Sequence, residues 1–294
     1  MYRNYGEMVM KSIGVMVKPN HPEAVEACGE VAAWLVKRGI GIYVDAQLAQ
    51  EVESAKGCSL DEMSELVDLI IVLGGDGTIL HAARLLNGRK TPILGLNLGG
   101  LGFLTAVKQD ELYLALERAI RDEFEVEERM MLSVTVYRDD REISNYSVLN
   151  DAVVKGTHAR LISLETRINE EYVNTYRADG LIVATPTGST AYSLSSGGPI
   201  LYPTIHSIIL APICPFNLTN RSVVIPDWME IKVIIRGEYN KPILTMDGQL
   251  DMPLGDGDVI DIKRSESSIY LMKCPGKSYF DILRERLLWE RKGH

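Results

Sequence analysis

The sequence predicts an α/β N-terminal domain with a doubly wound parallel sheet, then a β-rich C-terminal domain, and a C-terminal helix returning to the first domain. Three observations carry this. Over roughly the first hundred residues, short apolar runs alternate with helical stripes and glycine turns, the texture of a parallel sheet. From Met131 to Lys273 the helical stripes nearly vanish, and short alternating runs separated by turn signals take over. From Tyr279 to Trp289 a helical pattern resumes. The expected domains are 1 to 125, joined by 276 to 294, and 126 to 275.

The elements follow in order. The first nine residues read as a loose extension, and Ser12 to Val17 as a buried strand. Pro22 suits a first helical turn, and Ala24, Cys28, Val31 and Leu35 form one apolar stripe that Gly39 stops. A short strand spans 41 to 44, a loop 46 to 58 and a short helix 61 to 66. The unbroken run Leu69-Ile70-Ile71-Val72-Leu73 suits a strand covered on both faces. Helix 78 to 86, strand 92 to 96, a glycine-rich turn at 97 to 102 and helix 109 to 121 complete the first domain. In the second, Leu132, Val134 and Val136, then Met229, Ile231, Val233 and Ile235, alternate as half-buried antiparallel strands do. In the tail, Ile282, Leu283, Leu287 and Leu288 are the apolar residues of the returning helix.

Composition narrows the function classes. With 46% hydrophobic and 24% charged residues, general disorder is excluded. The 31 Lys+Arg against 40 Asp+Glu give a net charge of −9, which disfavours nucleic acid or an anionic membrane as partner. No run approaches the ~20 apolar residues of a spanning helix, and no secretory h-region is visible. Cys28, Cys58, Cys214 and Cys274 have neither metal-ligand spacing nor a disulfide framework. A soluble, cytoplasmic protein with free thiols is expected, and no tight metal site.

The strongest local signal is Gly74-Gly75-Asp76-Gly77-Thr78, between a buried strand and a helix. Its glycines allow positive φ and close approach of a ligand, and a helix start offers free N–H groups to phosphate. Asp76 would accept a hydroxyl proton or hold a metal beside phosphate oxygens; the alternative is a helix N-cap in a tight turn. A second block runs from Ala178 to Ser193, where Thr185, Thr187, Ser189, Thr190 and Ser193 can donate to phosphate or ribose oxygens and Tyr192 can offer a ring face to a base. The alternative is a solvated Ser/Thr-rich turn. Asn150-Asp151, following a strand at 146 to 149, supplies an amide and an acid, or simply an Asx turn. Neither a Walker A motif nor G-x-G-x-x-G is present, so a P-loop NTPase and a standard dinucleotide turn are disfavoured.

These blocks, in this order, with Asp247-Gly248-Gln249 and Pro212-Ile213-Cys214-Pro215 followed by Asn220-Arg221, resemble the NAD kinases over nearly the whole chain. The glycine-aspartate motif alone is shared with diacylglycerol and sphingosine kinases and 6-phosphofructokinases; the Thr187-Gly188-Ser189-Thr190-Ala191-Tyr192-Ser193 block points to NAD kinase. The resemblance implies transfer of the γ-phosphoryl of ATP to the 2′-hydroxyl of the adenosine ribose of NAD. It also implies Mg²⁺ or another divalent cation arriving with ATP, and a homodimer or homotetramer. It assigns Asp76 as the catalytic residue. NAD contacts fall on Asp76, Gly77, Asn150, Asp151, Arg177, Asp179, Thr190, Ala191, Tyr192, Ser193, Leu194, Ser195 and Gln249, with His81 and Arg160 where the family varies. The phosphate turns are Gly74, Gly75, Gly77 and Thr78, and Thr187, Gly188 and Ser189. Two departures stand out: Asp151 where many members have Glu, and Phe216, read as a packing residue, where many have His. The competing readings are a lipid or sugar kinase using the same turn, and a non-catalytic dinucleotide-binding regulator.

Overall fold

In the computed structural model, residues 10–86, 88–100, 102–105, 107–121, 123–157, 160–237, 241–273 and 276–289 are described. The expected N-terminal extension and Cys274 lie outside the described residues. The chain divides into two units, Met1–Glu128 with Ile269–His294, and Arg129–Ser268. The strand Val126–Arg138 begins in the first and ends in the second, while Val259–Met272 runs the other way. The unit boundaries thus fall within single strands.

The first unit holds parallel strands in the order Ile93–Asn97, Leu69–Leu73, Ser12–Val17, Gly41–Asp45, Lys56–Cys58. Counted along the chain this is 5-4-1-2-3, the doubly wound arrangement in which the strand order reverses beside the first strand. Leu69–Leu73 is buried at every position, as its unbroken apolar run requires. Each such Leu or Ile contributes about 1.5–3 kcal/mol by leaving water. Helix Pro22–Val36 turns Ala24, Ala27, Cys28, Val31, Ala32 and Leu35 inward, begins with Pro22 and is followed by Gly39 at φ 74°. Helices Leu60–Leu66, Asp76–Leu86 and Leu112–Ile120 complete the wrapping. The C-terminal helix Tyr279–Arg286 belongs to this unit, tied by Lys108–Glu285 and Lys277–Glu111 ion pairs. It ends earlier than its apolar pattern suggests: Leu283 is buried, whereas Leu288 is exposed in a left-handed conformation.

Two expectations need correction here, and one strand was not expected. Residues 46 to 58 are not all loop, since Leu48–Gln50 forms a 3₁₀ turn and Lys56–Cys58 adds a short edge strand. The helix expected from 109 opens with a 3₁₀ turn, Gln109–Glu111. A two-residue strand, Val107–Lys108, pairs with Ile93–Asn97. Short edge elements of this kind carry too little periodicity to be read from sequence.

The second unit is β-rich and antiparallel. One sheet runs Val223–Pro226, Ser207–Ile213, Gly180–Ala184, Asp151–Lys155, Ile243–Met246, Leu250–Pro253. The hairpin Ile162–Ile168 with Glu171–Ala178 pairs with Ile231–Arg236, which pairs in turn with Val259–Met272. The side chains of Ala152, Val154, Leu181, Val183, Ile208 and Leu210 join the main core with Leu132, Leu164, Val233 and Ile260. The alternate residues Val153, Ile182, Ala184, Ile209 and Ala211 form a smaller cluster with Leu201 on the opposite face. Period-two alternation thus puts Asp151, Val153 and Lys155 on that second face.

Candidate active site

The strand order of the first unit reverses between Ser12–Val17 and Leu69–Leu73, and ligands of doubly wound sheets bind at the carboxyl ends of strands at such a point. The main chain leaves Leu73 into Gly74, whose amide donates to Leu96 O (2.9 Å). A Cβ on Gly74 would lie 2.4 Å from Thr78 Oγ1, so this position requires glycine by close packing. Gly75 faces open space, and neither it, Gly74 nor Gly77 has positive φ. The turn's glycines therefore serve close approach, not left-handed geometry, which corrects half of the sequence argument.

Asp76 opens the helix Asp76–Leu86. Its carboxylate is held by the second glycine-rich turn. Oδ1 accepts from the amides of Leu104 (3.0 Å) and Thr105 (3.1 Å) and from the Thr105 hydroxyl (3.1 Å); Oδ2 accepts from the Phe103 amide (2.9 Å). A Cβ on Gly102 would sit 2.1 Å from Oδ1, so the two turns interlock only with glycine there. Among the described residues Asp76 thus clamps a neighbouring loop instead of capping its own helix. Oδ2 keeps an acceptor position for one further donor.

In the second unit the residues converge on a hairpin. Asp247 (φ 50°) and Gly248 (φ 65°) are left-handed residues in the three-residue connection from Ile243–Met246 to Leu250–Pro253, with Gln249 N donating to Met246 O (3.0 Å). Asp-Gly is a favoured pair for left-handed hairpin positions. The Asp247 carboxylate then accepts the amides of Leu149 (2.9 Å), Asn150 (2.7 Å) and Asp151 (3.1 Å). This fixes the bend between the strands Arg141–Val148 and Asp151–Lys155. Asp151 is 4% exposed, and its carboxylate has no hydrogen-bond partner among the described residues. Burial, and then the neighbouring Asp247 charge, push its pKa up to about 7. A cavity of about 340 Å³ lies along this face, lined by Asn150, Asp151, Lys155, Tyr192, Thr245 and Asp247 among others.

The hydroxyl block forms a 3₁₀ turn, Thr187–Thr190, and a one-turn helix, Tyr192–Ser195. Thr185 Oγ1 donates to Leu149 O (2.5 Å) and accepts the Gly188 amide (3.0 Å). Ser189 Oγ donates to Pro186 O (2.6 Å) and accepts the Leu201 amide (3.0 Å), and Thr190 Oγ1 donates to Thr187 O (3.2 Å). Thr187 accepts a 3.5 Å contact from Arg129. A Cβ on Gly188 would lie 2.1 Å from Asn150 O. Thr187, Gly188 and Ser189, expected as a phosphate turn, are buried, with the Ser189 hydroxyl committed to the main chain and that of Thr187 facing Arg129. Ser193 Oγ is buried with no hydrogen-bond partner among the described residues. Tyr192 is 44% exposed at the cavity mouth beside Ala191.

Arg177 and Asp179 do not join this group. Asp151 pairs with Ala184, at one end of Gly180–Ala184, while Asp179 precedes the other end, about 14 Å or more along the strand. Arg177 lies there with Phe216, whose ring is 5.4 Å from its guanidinium and whose amide donates to Arg177 O (2.8 Å). Phe216 is 69% exposed, which overturns its reading as a packing residue. Arg160 and Gln249 are exposed. Leu194 and Ser195 lie in the same short helix as Tyr192 but do not line the cavity. His81 is in the first unit, where burial and then Arg84 lower its pKa. Among the described residues no three His, Cys, Asp or Glu side chains stand together as a metal site, and no helix is long and apolar enough to cross a membrane.

Residues 13–124 match the family model of the ATP-NAD kinase N-terminal domain, and residues 149–274 that of the ATP-NAD kinase C-terminal domain. The chain belongs to the NAD kinase family. The NAD kinase of Syntrophotalea carbinolica is 45% identical over 95% of this chain and 99% of its own, and that of Solibacter usitatus 44% identical over 96% and 98%. Among solved structures, yeast NADH kinase complexed with NADH superposes with a TM-score of 0.89 at 27% identity, covering 98% of this chain and 90% of that one. An NAD kinase from Archaeoglobus fulgidus in complex with ATP gives 0.73 at 28%, covering 95% and 97%. These similarities support neither a lipid or sugar kinase nor a non-catalytic regulator. Within this NAD kinase fold the sequence reading named Asp247 only as part of a motif, not as a site residue, and missed Thr245 and Lys155 at the cavity. The Asp247-Gly248 hairpin signal could have marked Asp247 as a site residue.

Proposed function

We propose that Asp76 receives the proton of the 2′-hydroxyl on NAD's adenosine ribose while the γ-phosphoryl of ATP is transferred to that oxygen. The overall reaction is that of the NAD kinase family, phosphorylation of NAD to NADP by an alcohol-accepting phosphotransferase. In the step, the hydroxyl oxygen forms a bond to the γ-phosphorus, the bond to the β,γ-bridging oxygen breaks, and ADP leaves. Such a transfer asks for an oriented hydroxyl and charge neutralisation more than for covalent help. The observation that carries the assignment is the geometry of Asp76: four donors fix the carboxylate, and Oδ2 is left able to accept one more.

On the second unit, Asp151 and Asn150 would take the ribose and base edge, with Tyr192 against a ring. A divalent cation such as Mg²⁺ would be held chiefly by the triphosphate, since the described residues offer no three-ligand group. There it would neutralise developing phosphate charge. The protein is then expected to purify without stoichiometric metal yet to need added cation for turnover; tightly held zinc would contradict this. A homodimer or homotetramer is favoured by the edge strand Val223–Pro226, where Val223, Val224 and nearby Trp228 are exposed. A fully active monomer in sedimentation would refute it. A cytoplasmic setting suits the free Cys28, Cys58 and Cys214. The activity is tested by incubating purified protein with NAD, ATP and Mg²⁺ and detecting NADP with an NADP-specific dehydrogenase.

A further inference from the structure

The carboxylate of Asp76 ends a chain of hydrogen bonds that starts outside its own glycine turn. Asn97 is the last residue of Ile93–Asn97, the strand paired with Leu69–Leu73. Its Oδ1 accepts the Gly99 amide (2.8 Å), which fixes the end of the side-chain amide that carries the oxygen. Its Nδ2 points the other way and donates to Thr105 Oγ1 (2.9 Å). An amide nitrogen can only donate, so the Thr105 oxygen is the acceptor in that bond. The single hydroxyl proton of Thr105 is then committed to Asp76 Oδ1 (3.1 Å). The chain has one direction, from the Gly99 amide through Asn97 and Thr105 to Asp76, and each bond polarises the next.

Packing holds the Thr105 hydroxyl in that bond. Thr105 is wholly buried. A Cβ on Gly102 would lie 2.3 Å from its Oγ1, and a Cβ on Gly95 would lie 3.2 Å from its Cα, so the turn at 102 to 105 rests directly on the strand Ile93–Asn97. The turn closes on itself with the Gly102 amide donating to Thr105 O (3.2 Å). The donors reaching Asp76 divide unequally between its two oxygens. Oδ1 receives three, the amides of Leu104 and Thr105 and the Thr105 hydroxyl, whereas Oδ2 receives one, the Phe103 amide. An ionised carboxylate offers about four acceptor positions, two on each oxygen. Oδ1 is therefore saturated and Oδ2 is open.

We propose that Thr105, oriented by Asn97, is a positioning residue for phosphoryl transfer: its hydroxyl closes Oδ1 and leaves Oδ2 as the one oxygen of Asp76 that receives the proton of the acceptor hydroxyl. The inference rests on the reading of Asp76 as the proton acceptor. Among the described residues the Thr105 hydroxyl is the one side-chain donor to this carboxylate; the others are main-chain amides. Without it, Oδ1 regains a free acceptor position, and an incoming hydroxyl is drawn to either oxygen instead of to one. Displacements of this size at the reacting atom lower the rate without changing how substrate is held elsewhere.

Steady-state kinetics of the full chain with NAD, ATP and Mg²⁺ test this. Thr105→Val replaces the hydroxyl by a methyl group of similar shape. Its kcat should fall about 10- to 100-fold, the size of one hydrogen bond to a charged group. KM for NAD and for ATP should stay within about twofold. Thr105→Ser, which restores the hydroxyl, should keep kcat within about threefold of wild type. The deciding measurement repeats Thr105→Val in the Asp76→Asn background, where it should cost about twofold or less, because the hydroxyl acts through the carboxylate. A purely structural role would cost the same factor in both backgrounds. If Thr105→Val does not fold, Thr105→Ala carries the same comparison with a smaller side chain. A near-normal kcat in the folded variant, or an equal loss in both backgrounds, overturns the proposal and leaves Asp76 as proton acceptor. A near-normal kcat in Asp76→Asn alone refutes the proton-acceptor reading itself, and the proposal with it.

Discussion

Asp76 and Asp151 are both candidate-site carboxylates, yet the fold treats them in opposite ways. Asp76 is half-buried and surrounded by donors, three amides and a hydroxyl from the turn at 103 to 105. Asp151 is almost wholly buried, faces a second carboxylate, and has no donor among the described residues. A carboxylate held by amides is fixed in place and keeps a defined direction for its remaining lone pair. A desolvated carboxylate beside a like charge has unmet demand for donors, which ribose hydroxyls can supply. On the proposed reading, the contrast separates a group that acts in the transition state from one that binds.

The largest expected effect breaks the comparison on the Asp76 side. Asp76→Asn keeps shape but removes the charge that accepts the hydroxyl proton, so kcat should fall about 10²–10⁴-fold. NAD binding, measured directly, should change little. Asp151→Asn should instead raise KM for NAD at least as much as it lowers kcat. Steady-state kinetics on both proteins decide the matter; a near-normal kcat in Asp76→Asn would leave Asp76 only as the clamp of its neighbouring turn.

The next effect sharpens the binding half. Tyr192 is half exposed at the mouth of the Asp151 cavity, placed to cover a ring. Tyr192→Ala should weaken NAD by roughly 1–3 kcal/mol, the order of base–aromatic stacking. Equilibrium titration would check it, and an unchanged affinity would remove Tyr192 from the site.

How much of this was legible in the sequence differs between the two regions. Leu69–Leu73 announces itself as a buried strand because no polar residue interrupts it, and Gly74 to Thr78 marks the strand end where ligands gather. The direction of the Asp76 side chain was not legible, because its partners at 103 to 105 are far along the chain. Likewise, Thr185 and Ser189 look like ligand donors by type, but their hydroxyls are spent on Leu149 O and Pro186 O. Nothing local distinguishes a hydroxyl that faces a ligand from one that ties down its own turn. A cavity of the first unit lined by Lys18, Asp45 and Leu48 was equally hidden, since residues 46 to 58 read as loop and its walls come from separated segments.

The smallest effect concerns pH and tests the Asp151 half most directly. Asp151 titrates near 7 instead of its ordinary 3.8, by burial first and Asp247 second. A carboxyl whose pKa is raised on folding stabilises the fold where it is protonated. Its contribution is therefore full below about pH 4 and is lost as pH rises through about 7. Ribose hydroxyls need the opposite form, because they donate to a carboxylate. KM for NAD should accordingly fall several-fold between about pH 6 and pH 8. Asp151→Asn, neutral throughout, should flatten that profile and raise thermal stability relative to wild type at the alkaline end. Asp247→Asn removes the like charge and should move the midpoint down by about one pH unit. It should also cost about 1–3 kcal/mol of stability, because an amide nitrogen would then face the backbone donors of Leu149, Asn150 and Asp151. A midpoint that stays put in folded Asp247→Asn would mean that burial alone sets it. A wild-type KM that is flat across this range would mean that Asp151 does not receive the ribose.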